Sequence, residues 1–230
     1  MIVIAGDSWG IGSWTDGGVT GANFVTIASL HHDNELGSAN LSRCNSTLSQ
    51  ALDTYEKFLN RYTPDYTDTF YWILTNPLRN IDITNIKTWT TIKEAANNIL
   101  NDNLQRADRL AGNFKIKINL IGGLCDLDPS VVSGLDNLVC AVPSWCSLLS
   151  EKHVESIFNQ DHNWEEIGIF IKEHRSDLLD EWLVLSDFVL SKNNFYIQHP
   201  TYFKQRDTHP SVKGNRVLKN YLYPEWIEVF

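Results

Sequence analysis

The chain has no clustered positive charge: 19 Lys and Arg stand against 28 Asp and Glu, giving a net charge of −9, and no run of Lys or Arg occurs. Binding to a phosphate backbone is built from such clusters, so no nucleic-acid partner is expected. Long apolar runs are missing too. No stretch approaches the roughly 18 to 20 uninterrupted apolar residues of a membrane span, and the N-terminus has no basic region followed by a long apolar core. No membrane partner and no cleavable secretion signal are expected, and the expected location is cytoplasmic or virion-associated. The four cysteines, Cys44, Cys125, Cys140 and Cys146, form no Cys-x-x-Cys pair and have no histidine at zinc-like spacing. They read as free thiols in a reducing compartment, with no metal expected. Repeats and low-complexity tracts are also lacking, which excludes a solenoid or a long flexible linker.

What is present is the material of an ordinary globular fold. At 230 residues, with 43% hydrophobic and 20% charged residues, the chain is long enough for one α/β domain with a sizeable core. Met1-Ile2-Val3-Ile4-Ala5 opens the chain as a strand. Residues 23–30 read equally as strand or helix, because periodicity cannot decide over so short a run. Leu48, Leu52, Tyr55 and Leu59 place one apolar stripe on a helix over 47–60. The unbroken run Phe70-Tyr71-Trp72-Ile73-Leu74 predicts a strand buried on both faces.

Residues 88–111 have helical spacing of apolar residues, with Gly112-Asn113 as the expected stop. Residues 116–121 and 138–142 predict a third and a fourth central strand, and helices are expected within about 165–190, packed beside the sheet. Strands alternating with helices imply right-handed crossovers and a mainly parallel sheet with helices on both faces.

The first strand runs directly into Gly6-Asp7-Ser8, placing a hydroxyl at the carboxyl end of a buried strand, where open α/β sheets bind ligands. A serine attacks an acyl carbon only if a base takes its proton. Arg206-Asp207-Thr208-His209-Pro210-Ser211 supplies an imidazole near the other end of the chain, with Ser211 able to cap a last helix. Read alone, Gly6-Asp7-Ser8 is equally a strand-end turn or a helix cap, and His209 is one of seven histidines. The glycines at 6, 10 and 12 fit neither the dinucleotide fingerprint nor a phosphate loop.

An N-terminal Gly-Asp-Ser with a C-terminal Asp/His/Pro cluster resembles the SGNH (GDSL-type) hydrolase family of esterases and lipases. The segments Thr75-Asn76-Pro77-Leu78-Arg79-Asn80 and Ile121-Gly122-Gly123-Leu124-Cys125-Asp126-Leu127 resemble divergent SGNH-like proteins of bacteriophages. The resemblance implies a three-layer α/β/α sandwich with a flavodoxin-like, five-stranded sheet of order 2-1-3-4-5. It also implies a serine esterase without cofactor, with Ser8 as nucleophile, His209 as base and Asp207 as the orienting acid. The family pattern places the acid three residues before the histidine, where this chain has Arg206. Asp207 sits two before, so the loop bends differently, or Asp126 serves, or the site is a Ser/His dyad.

The resemblance further implies an oxyanion hole made by the N–H of Ser8, a station after the second strand and an asparagine after the third. Cys44 or Asn45 takes the second station, where the family has glycine, and Cys44 N–H is the expected donor. Asn76 takes the third, although an Asn-Pro turn after a strand is its plain alternative. Among the eight tryptophans, Trp9 and Trp14 flank the serine turn; Trp9 is an expected substrate contact. Arg79 is an expected anchor for an anionic or hydroxyl-bearing group, or else an internally paired arginine. The expected substrate is a short-chain or carbohydrate O-acetyl ester. The rival is an SGNH-fold protein with a decayed site, acting as a carbohydrate-binding or structural virion component.

Overall fold

The computed structural model describes residues 1–11, 38–123, 126–150, 164–186 and 209–224. Its centre is a sheet of five parallel strands, β1 (Ile2–Ala5), β2 (Ser38–Asn40), β3 (Thr69–Leu74), β4 (Ile118–Gly122) and β5 (Leu138–Val142), in the order β2-β1-β3-β4-β5. This is the expected order 2-1-3-4-5, and the expected α/β class. The segment 23–30 lies outside the described residues, and the second strand is Ser38–Asn40.

Side chains alternate across a strand, so the two faces of β1 and β3 go to different helix layers. Val3, Ala5, Phe70, Trp72 and Leu74 form one core with α2 (Leu48–Leu59) and α3 (Ile92–Phe114). Ile2, Ile4, Tyr71 and Ile73 form the other with α4 (Trp145–Ser150) and α7 (Val212–Leu222). Both faces are therefore apolar, which is why β3 reads as an unbroken hydrophobic run. Tyr55 of α2 keeps its hydroxyl inside this core by donating to the carbonyls of Val3 and Tyr71.

Local signals set most helix starts. Thr47 accepts from Gln50 N at 3.1 Å while Gln50 returns its side chain to Thr47 N, a capping box that begins α2. Ser211 caps α7 through Gly214 N, as expected. The third helix departs from expectation at both ends. It begins at Ile92, after a 3-10 segment at Ile83–Thr88, and runs through Gly112 to a left-handed cap at Lys115, φ 55°. Gly112 is not the stop: a Cβ there would meet Asn137 Nδ2 at 3.1 Å, so its lack of a side chain serves packing.

The 165–190 region forms α5 (Trp164–His174), a 3-10 turn at Ser176–Leu178, and α6 (179–186), with the rest outside the described residues. This corrects the expectation that it packs beside the sheet: no strand residue belongs to its core. Ile167, Ile171, Leu178 and Trp182 form a third core with Leu78, Ile86, Trp89, Ile92, Ala95 and Ala96, beyond α3. Glu181 pins this layer by accepting from Ile92 N and Lys93 N, both at 2.8 Å, so a distant carboxylate holds the first turn of α3. No described helix is long and apolar enough to cross a membrane.

Gly6 and Gly123 both approach the end of β3. A Cβ on Gly6 would meet Ile73 O at 2.9 Å, and one on Gly123 would meet Leu74 O at 2.8 Å. Backbone cannot retreat as a flexible side chain can. Gly6→Ala is expected to cost about 1 to 3 kcal/mol, read as a shifted urea midpoint with unchanged slope; an unshifted midpoint would show that the strand relaxes freely there.

Candidate active site

Every parallel strand ends at the same edge of the sheet, so the loops after β1, β2 and β3 meet there. The first carries Asp7 and Ser8, and Ser8 opens the short helix α1 (Ser8–Ile11). Asp7 turns its carboxylate back, accepting from Trp9 N at 2.9 Å through Oδ1. The cap reading of Gly-Asp-Ser is thus correct for Asp7. Ser8 follows it with 9% of its surface exposed.

Asp7 is fully buried, and the loop after β3 closes on it. Thr75 Oγ1 donates to Oδ2 at 2.7 Å, and Arg79 Nη1 donates to the same oxygen at 3.0 Å. Burial pushes the Asp7 carboxyl above its ordinary range, against the Arg79 charge, the Thr75 and Trp9 donors and the charge of His209. The last of these brings His209, half-buried just before the cap of α7, into electrostatic range of the residue beside Ser8.

Asn76 follows β3 directly and is 1% exposed. Its Oδ1 accepts from Leu78 N at 2.8 Å and its carbonyl from Arg79 N at 3.1 Å, forming the turn that an Asn-Pro pair favours. Holding Oδ1 fixes the amide plane, and with it the direction of Nδ2. The turn and the donor are therefore compatible readings of one residue.

The loop after β2 is tied to both others. Asn40 Nδ2 donates to Gly10 O at 3.0 Å, Arg43 N to Gly6 O at 3.2 Å, and Asn80 Nδ2 to Asn45 O at 3.2 Å. Cys44 is exposed in this turn, and Asn45 takes the left-handed conformation, φ 63°, that glycine favours. The glycine-like backbone thus falls on Asn45, one residue beyond Cys44.

Among the solved structures similar to this chain are two hydrolases. One is the crystal structure of a member of the lipolytic protein G-D-S-L family from Veillonella parvula DSM 2008, at 17% identity and a TM-score of 0.45, covering 100% of this chain and 98% of that one. The other is LAE5, an alpha/beta hydrolase enzyme from the metagenome of Lake Arreo, Spain, at 14% identity and a TM-score of 0.43, covering 97% and 93%. No protein-family model and no curated protein matches the chain.

Two expected substrate contacts are spent elsewhere. Trp9 is 1% exposed and packs edge-on against Trp145, with centroids 5.5 Å apart, so its ring belongs to the core under the site. Arg79 is 6% exposed and ion-paired to Asp7, which leaves it holding two loops together. Trp14 and Asp207 lie outside the described residues. Asp126 lines an apolar crevice of about 850 Å³ that begins at Pro77 and runs along the ends of β4 and β5. Sequence reading missed the Asp7–Thr75–Arg79 cluster. Its one signal was an aspartate between a strand and a short helix, a place where a buried carboxylate needs donors.

Proposed function

We propose that this chain is an SGNH-type serine esterase acting on a short-chain or carbohydrate O-acetyl ester through an acyl-serine intermediate. The observation that carries the reading is the convergence on Asp7: the Ser8 turn and the Asn76 turn hydrogen-bond to one buried carboxylate at the ligand-binding edge of the sheet, with His209 in electrostatic range of it.

In this mechanism the His209 imidazole takes the proton of Ser8 Oγ as that oxygen attacks the ester carbonyl. The N–H groups of Ser8 and Cys44 and the Asn76 amide donate to the oxyanion. His209 then gives its proton to the departing alcohol. Water, deprotonated by the same ring, attacks the acyl-serine and releases the acid. Asp207 or a different carboxylate orients the imidazole, or His209 acts in a dyad. Asp7 takes no proton in this scheme, because its oxygens are committed to Trp9, Thr75 and Arg79.

Hydrolysis of p-nitrophenyl acetate beside a Ser8→Ala control tests the reading, and equal rates end it in favour of a non-catalytic, carbohydrate-binding or virion-borne role. In the same assay Asn76→Ala is expected to lower kcat by about 10²- to 10³-fold with KM little changed, the signature of a donor that acts on the transition state. An unchanged kcat would reduce Asn76 to its turn.

A further inference from the structure

Pro77, the residue after Asn76, borders two clefts of opposite character. On one side is the crevice walled by Leu127, Pro129, Val142, Pro143 and Leu148. On the other is a cleft of about 530 Å³ between the start of α2, the 77–90 segment and the first turns of α3. That volume falls in the ordinary range of small-molecule sites.

The second cleft has an apolar floor and an amide-rich rim. Leu48, Trp89 and Ala95 are among its buried lining, and Asn80, Asn85, Thr88 and Asn98 among its exposed lining. The side-chain amides of Asn85 and Asn98 have no hydrogen-bond partner among the described residues. Each offers a donor pair and an acceptor, which suits hydroxyls that both donate and accept. The ionised groups at the rim are Asp82 and Glu94, while the lining cation, Arg79, is turned to Asp7. Such a rim repels phosphate, sulfate and uronate groups. A neutral polyhydroxyl ring, with C–H faces for the floor and hydroxyls for the rim, fits both features.

We infer that this cleft is a subsite for a neutral sugar unit, the alcohol half of the ester. The inference rests on the proposed esterase reading for the direction of the substrate. Pro77, on the border of the cleft, follows Asn76, so the acyl group would lie on the Asn76 side, and the cleft selects uncharged glycans over acidic ones.

Binding can be measured without turnover. Full-length Ser8→Ala protein is titrated with xylohexaose, maltohexaose, N-acetylated chitohexaose and a heparin hexasaccharide, with binding followed by calorimetry and by amide shifts in NMR. At least one neutral hexasaccharide is expected to bind with a Kd of about 1 mM or tighter. The Asn85→Ala/Asn98→Ala double substitution is expected to weaken it by about tenfold, since two neutral hydrogen bonds are lost. Thermal unfolding of that variant serves as the check on folding, and Asn98→Trp, which fills the cleft from an exposed helix position, should abolish binding independently. Absence of binding by every neutral glycan at about 10 mM, preference for heparin, or binding indifferent to both variants overturns the inference. Failure of the esterase reading looks different: p-nitrophenyl acetate hydrolysis that does not depend on Ser8.

Discussion

Ser8→Ala is expected to lower kcat/KM for p-nitrophenyl acetate by about 10⁴- to 10⁶-fold, the loss seen when the nucleophile of a serine/histidine unit is removed. The substitution deletes one oxygen at a site that is 9% exposed, and it leaves the carboxylate cap of Asp7 on Trp9 N untouched. Stability should therefore change by no more than about 1.5 kcal/mol, the worth of one hydrogen bond, and thermal unfolding of the variant separates lost activity from lost fold. His209→Ala is expected to lose a similar amount, and the double variant scarcely more, because the proposed nucleophile and base would act as one unit. A residual rate in Ser8→Ala equal to the parent rate would assign the hydrolysis to another group. Additive losses in the double variant would separate His209 from Ser8. Burst kinetics at high enzyme concentration supply a second readout, since an acyl-serine that forms faster than it hydrolyses releases one equivalent of p-nitrophenol early.

Signals that are local in sequence were legible, and those needing a distant partner were not. The unbroken apolar runs of β1 and β3, the Leu48/Leu52/Tyr55/Leu59 stripe and the Ser211 cap each depend on a few neighbouring residues, and each reads correctly. The end of α3 does not. Glycine is the usual helix stop, but here Gly112 lies inside the helix beside the Asn137 amide, and the chain turns at Lys115, whose N–H returns to Gly112 O. Trp9 beside a serine looks like a platform for substrate until Trp145, far along the chain, is seen to cover it. Arg79 looks like an anchor for an anion until Asp7 takes its charge. In each of these cases tertiary contact decided between two locally equal readings.

The Asp7–Arg79 pair gives the second large effect. Arg79→Met is expected to destabilise the chain by about 3 to 5 kcal/mol at pH 8, because it leaves a wholly buried carboxylate without its cation. The sign of the pH dependence follows from the direction of the Asp7 shift. Its folded value already lies above the ordinary 3.8, and removing Arg79 takes away a lowering influence, raising it further. A group whose folded value is raised contributes most below its unfolded value, and that contribution is lost as pH rises through the folded one. Arg79→Met should accordingly be less stable at pH 8 than at pH 5, with a smaller gap to the parent at pH 5. Asp7→Asn in the same background removes the titrating group, so the double variant should lose that extra pH slope and recover part of the stability. Urea unfolding of the four proteins at both pH values measures this directly. An Arg79→Met variant within about 1 kcal/mol of the parent at pH 8 would mean the pair holds nothing. Because Thr75 and Arg79 flank Asn76, while Asp7 precedes Ser8, the same variant should also lose kcat at temperatures where it remains folded. The ion pair ties the loop that carries Ser8 to the loop that carries Asn76, so its loss would disturb the spacing of the proposed nucleophile and the proposed oxyanion donor.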